Sequence, residues 1–174
     1  MEINEELFSL SSLMGKVSEF SQFLEHGNSG IQEILQHLNR NTFSQLGSKS
    51  VHLTRLNSDN KLVFDLMSGA KVSQEFGATQ NFDLDSKIPI VDVFRSGKII
   101  CINTLPDWGG DYPILKDYPI DFYAKTFVAI PIVAGEFVKG VLSIFFGPQL
   151  FECDRFNDFL TAIAGLLSLQ LTRL

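Results

Sequence analysis

The chain predicts an α+β fold, an antiparallel sheet with helices packed on one face. Three observations lead there. Amphipathic helical periodicity occupies both ends of the chain, and two β-hairpins fill the middle. The elements also run helix, helix, strand, strand, short helix, strand, long loop, strand, strand, helix, an order that suits such a sheet. The 174 residues are 45% apolar and 20% charged, which argues for one packed domain and against disorder. Sixteen Phe against three Tyr and one Trp make that core, and any pocket in it, Phe-lined.

Residues 3–24 read as one helix with a seven-residue rhythm. Ile3, Leu10, Val17 and Leu24 repeat, and Leu13 and Phe20 fill the intermediate seam. A period of 3.5 is the signature of a helix lying along another helix. Glu6 interrupts the seam and Gly15 lowers helix propensity, so three heptads fit a dimer seam and intramolecular packing alike. His26-Gly27-Asn28-Ser29-Gly30 should stop the helix, with glycine in the left-handed conformation of a C-cap. A second amphipathic helix follows, with Ile31, Ile34, Leu35 and Leu38 on one face.

Residues 50–56 and 61–68 are apolar-rich runs joined by Asn57-Ser58-Asp59-Asn60, a turn-forming cluster, and predict a hairpin. Residues 69–86 are polar, with Phe76 and Phe82 as the large anchors. Pro89 opens and Gly97 closes a short helix, and residues 98–103 make a strand. Residues 104–125 carry no sustained period, and connections this long within a compact domain are usually functional or disordered. Their aromatic content argues against disorder. A second hairpin pairs residues 127–133 with 138–146 across Ala134-Gly135-Glu136-Phe137. The last helix starts at Asp154, with Phe156, Leu160, Ile163, Leu167 and Leu174 on one seam. Because the chain stops inside this apolar periodic stretch, the helix is expected to continue in a longer parent protein; docking of a native end onto the first helix fits as well.

At this point the sequence resembles the GAF domain family. The residues that carry the resemblance are the hairpin SVHLTRLNSDNKLVFDL and the passage IPIVDVFRSGKIICIN. The strand pair KTFVAIPIVAGEFVKGVLSIFF and the helix start FECDRFNDFLTAIAGLL complete it. The resemblance covers roughly residues 25–174. It implies a sheet of about six antiparallel strands, terminal helices on one face, and a ligand pocket on the other. Residues 89–96 and 104–125 would roof that pocket. It further implies a sensor: residues 1–25 as a dimerisation and signalling helix, residues 26–174 as the sensor domain, and a last helix leading to an output module. The cyclic-nucleotide signature of the family is not matched, and Asn103 stands where many members have an acidic residue. None of His26, His37 and His52 sits beside a cysteine in the loop, as bilin binding would need, and two cysteines cannot supply the three clustered ones of the sulfoxide reductases of this fold.

Phe64, Phe94, Trp108, Tyr112, Tyr123 and Phe127 are the expected pocket wall, and Arg95 or Asp107 the polar contact. Which face Phe127 takes is open, because alternation fixes only relative facing. Asp107, Asp111, Asp117 and Asp121 fit no calcium loop, since Pro and aromatics occupy the intervening positions, and they read as solvated carboxylates. Cys101 and Cys153 are too few for a disulfide framework or a four-cysteine zinc site, and read as inert, Cys101 as a buried small hydrophobe. No Ser-His-Asp order, phosphate-binding glycine loop or HExxH motif is present, so a non-catalytic domain is expected.

Fourteen Lys and Arg against 20 Asp and Glu give a formal charge of −6, which disfavours nucleic acid as a direct ligand. The acidic start MEINEEL is unlike a signal peptide, and the longest apolar run, 127–134, is far short of the ~20 residues a membrane span needs. The expectation is a cytoplasmic sensor that binds a small molecule of unknown identity, pairs as a homodimer through its terminal helices, and signals to an output such as transcription. A ligand-free dimerisation module and a thiol-based redox sensor or sulfoxide reductase are the alternatives.

Overall fold

A computed structural model describes residues 9–27, 29–69, 81–103, 110–113, 124–147 and 153–172. Helix α1 spans Leu10–His26, and Ser9 caps it, its hydroxyl accepting from the Ser12 amide. The helix does end at Gly27, but that glycine is extended, with φ −123°, and not left-handed. Gly27 therefore does not curl into a C-cap. Helix α2 spans Ile31–His37 and runs into a π turn, Leu38–Thr42, and a 3-10 turn, Ser44–Leu46.

Strands β1 (Ser48–Leu56) and β2 (Lys61–Gly69) form the first expected hairpin. Asn57 builds its turn: the side-chain oxygen accepts from the amides of Asp59 (3.0 Å) and Lys61 (2.9 Å). Strand β3 (Asn81–Asp83) pairs with β2. Helix α3 (Pro89–Ser96) has the expected limits, ending where Gly97 turns left-handed at φ 66°. Strand β4 is only Ile100–Ile102, shorter than the sequence suggests. Strands β5 (Thr126–Ala134) and β6 (Phe137–Phe146) form the second hairpin, and α4 spans Cys153–Leu171.

The strands make one antiparallel sheet in the order β3-β2-β1-β6-β5-β4. Its two edge strands are three residues each and pair with only part of β2 and β5. The sheet divides two apolar clusters. On its back, α1, α2 and α4 pack against Val51, Leu53, Val128, Ile130, Leu142 and Ile144. Leu13 and Phe20, the intermediate seam of the heptads, are buried there, whereas Leu10 is 78% exposed. Within one chain, then, α1 packs against α4, with Val17 and Leu24 of the other heptad series half-buried against the same cluster. The seam of α4 is buried as expected at Phe156, Leu160, Ile163 and Leu167, while Leu174 lies outside the described residues. The Ser168 hydroxyl donates to the Val133 carbonyl at 2.6 Å and ties α4 to β5.

One close approach in the sheet is easily tested. Gly140 faces Arg55 across the β1–β6 pair, and a Cβ there would meet the Thr54 carbonyl oxygen at 2.7 Å. Gly140→Ala is expected to destabilise the domain by roughly 1–3 kcal/mol through this overpacking. Urea denaturation reads it, and an unchanged midpoint would mean that the strand pair yields without cost.

Candidate functional site

The front of the sheet carries the second cluster, and α3 covers it. Ile90, Val91 and Val93 of the helix meet Leu62 of β2, Phe127 and Ala129 of β5, and Val141 of β6. Proline at the first turn and three apolar residues within five positions give α3 one face to bury, and only this side of the sheet is free to receive it. Phe64, Phe82, Phe94 and Phe145 are half-buried against the same cluster. Their rings form a connected array, with Phe64 on Phe82 at 5.6 Å and Phe127 on Phe145 at 4.9 Å.

Phe64, Phe94, Tyr112 and Phe127, four residues expected in the pocket wall, come together here. Phe127 faces the front because it pairs with Phe145 of the same cluster. The Tyr112 hydroxyl does not point into free space: it donates to the Asp92 carboxylate on α3. Burial, that bond, and the charges of Asp92 and Asp111 push its pKa up to about 12. Arg95, one of the two residues expected as the polar contact, is exposed at the end of α3. The helix turns its apolar face inward, and Arg95 falls on the other side. Asp107, Trp108 and Tyr123 lie outside the described residues, as do Asp117 and Asp121.

Sequence reasoning missed the polar floor of this face. Ser50, His52 and Thr54 alternate with Val51 and Leu53 along β1, and the alternation sends the three polar side chains forward. All three are buried, as is Ser143, which sits directly opposite His52 on β6. The His52 Nε2 lies 2.9 Å from the Ser50 hydroxyl, and the Phe64 and Phe145 rings flank the imidazole at 5.8 and 5.5 Å. Burial lowers the His52 pKa to about 4, so the ring is neutral at pH 7. The signal was legible as a period of two, but a strand face that carries polar residues reads as solvent-exposed until the tertiary fold shows it covered.

The cysteines are a second correction. Cys101 on β4 and Cys153 at the start of α4 are joined in a disulfide, their Cα atoms 6.2 Å apart across 52 residues of sequence. They are not inert separate thiols. Alternation turns Cys101 to the back, between front-facing Ile100 and Ile102, and α4 begins against that same side. The bond is therefore on the opposite face from His52 and the Phe array. A shallow groove of about 470 Å³ also opens on that back side, between β5 and α4 and lined by Pro131, Val133, Asn157 and Thr161. Among the described residues, no three His, Cys, Asp or Glu side chains come together to hold a metal, and no helix is long and apolar enough to cross a membrane.

This arrangement has many structural counterparts. The GAF domain from an Acinetobacter phosphoenolpyruvate-protein phosphotransferase superimposes with a TM-score of 0.70 at 14% identity, over 99% of this chain and 95% of that one. A free methionine-R-sulfoxide reductase from Neisseria meningitidis, in complex with its substrate, gives 0.72 at 11% identity, over 93% and 89%. The GAF domain of A. aeolicus nlh2 in an inactive state gives 0.64 at 20% identity, over 92% and 95%. At these identities the likeness concerns the fold. No curated protein matches the sequence. The family model for the GAF domain matches residues 29–171, the whole span from α2 through α4, and the chain belongs to the GAF domain family.

Proposed function

We propose that this domain is a non-catalytic sensor that takes a small molecule on the front of its sheet, beneath α3, and passes the binding event through α4 to an output module. One observation carries the reading: the second core is lined by Phe rings yet floored by buried polar groups, a combination that suits a ligand better than a plain core. Binding there would bear on α3, β5 and β6, and β5 packs on α4, so a population shift at the front has a physical route to the helix at the back. We further propose homodimerisation through α1 and α4, where Leu10, Met14 and Leu169 remain exposed. Cytoplasmic placement, a transcriptional output and the absence of direct nucleic-acid binding complete the proposal, the last resting on the formal charge of −6.

Native mass spectrometry of gently purified protein tests this. The expected result is a dimer carrying a defined small-molecule mass. A bare monomer would remove both the dimer and the retained ligand.

A second reading is favoured by the Cys101–Cys153 bond. In a reducing cytoplasm such bonds are transient, so the pair would act as a redox switch that couples the sheet edge to the root of α4. A dithiol reductant would give two electrons and two protons to the bond, leaving two cysteine thiols and the oxidised, disulfide form of the reductant. Replacing both cysteines by Ser should abolish any redox response of the subunit count while leaving ligand retention intact. Loss of ligand in that variant would oppose two independent functions.

A further inference from the structure

We propose that the front face recognises an uncharged, planar heterocycle through His52 Nδ1, Thr54 Oγ1 and Ser143 Oγ. This rests on the sensor reading above and names the ligand class for the same site. All three atoms are buried and lack a hydrogen-bond partner among the described residues, in side chains that are 2%, 0% and 1% exposed. Buried polar groups in folded proteins are nearly always paired, so three on one patch call for something that pairs them.

Their placement is specific. His52 and Ser143 are cross-strand partners, and Thr54 follows His52 by two residues and faces Val141 beside Ser143. Strand geometry spaces them by roughly 7 Å along β1 and about 5 Å across to β6, the span of one or two fused rings. A fourth unpartnered atom, Thr42 Oγ1, belongs to the π turn behind the sheet and is not part of this patch.

The chemistry of the patch is neutral. A hydroxyl donates once and accepts, and the neutral imidazole offers Nδ1 as donor or acceptor according to what Nε2 does with Ser50. No charge of the described floor meets a ligand charge, and the acids nearby, Asp92 and Asp111, bear on Tyr112 and repel anions. Asp92 lies on α3 and already accepts from Tyr112, so a cation set against His52, Thr54 and Ser143 would meet no carboxylate on that floor. The surrounding Phe64, Phe127 and Phe145 rings favour a flat partner that stacks edge-on or offset.

The test uses nicotinamide, uracil and hypoxanthine as probes, each beside its own ribonucleoside 5′-monophosphate, in equilibrium dialysis against the whole chain. At least one free base is expected to bind about tenfold or more tightly than its monophosphate. Thr54→Val and Ser143→Ala should each weaken that binding by about tenfold. Without ligand, both variants should melt at or slightly above the parent temperature, because each removes an unpaired buried hydroxyl. A lower melting temperature would mark the hydroxyls as structural and overturn the inference. Tighter binding of a monophosphate, or base binding indifferent to both substitutions, would overturn it and leave the sensor reading standing. If no probe binds, the mass retained in native mass spectrometry decides. An uncharged ring compound lost from both variants supports the inference, and a charged compound overturns it. No retained mass at all removes the sensor reading as well.

Discussion

Reducing the Cys101–Cys153 bond is expected to lower the melting temperature by about 10 °C. The bond closes a loop across 52 residues of sequence. In the chain-entropy account, a cross-link over that separation restricts the unfolded chain by about 4 kcal/mol. Each kcal/mol moves the midpoint of a domain this size by roughly 2–4 °C. The bond joins an edge strand of three residues to the first residue of α4, so its loss should be felt first where β4 leaves β5. Calorimetry with and without dithiothreitol measures the effect, with free thiols counted by mass spectrometry. The Cys101→Ser, Cys153→Ser double variant should melt at the reduced temperature and ignore the reductant. Full reduction with no shift would show that the bond follows the fold without restraining it.

The second large effect concerns acid. His52 is neutral and buried, with its pKa lowered from 6.5 to about 4 by desolvation. Between those values the unfolded chain binds a proton at this residue and the folded chain does not. Stability therefore falls as pH drops from about 6.5 to about 4, and this contribution levels off below pH 4. The full loss is about 3 kcal/mol, from the size of the shift. Denaturant titrations at pH 7, 5.5 and 4 should show the decline, and His52→Asn should flatten it over that window. A variant with the same pH dependence as the parent would assign the acid sensitivity to other groups.

Much of the architecture was legible because local rules acted alone. Asn57-Ser58-Asp59-Asn60 dictates a turn whatever lies beyond it, and Asn60 takes the left-handed conformation such a turn requires, at φ 57°. Pro89 and Gly97 bound α3 to the residue. Gly27 shows the limit of such rules. A glycine after a helix is ready for the left-handed cap, but Gly27 is extended, at φ −123°. Strand β4 lost its outer residues, since only Ile100–Ile102 find partners on β5.

The site divides along the same line. Phe64, Phe94, Tyr112 and Phe127 were recognisable as residues to be buried because large apolar side chains must be covered somewhere, and the front cluster is where they meet. That Arg95 is exposed could not be read locally, because helix facing depends on which side of α3 meets the sheet. His52, Thr54 and Ser143 were invisible as a group: they lie on strands separated by about 90 residues of sequence, and only the β1–β6 register sets His52 against Ser143. The disulfide is of the same kind, a contact across 52 residues that no spacing rule anticipates. By itself, then, the sequence determined the order, limits and pairing of its local elements, because helix period, strand alternation and turn chemistry act over a few residues. The tertiary structure alone decided which face α3 covers, which polar groups are buried on that face and which cysteines met, because those outcomes depend on strand register and on where one helix lands.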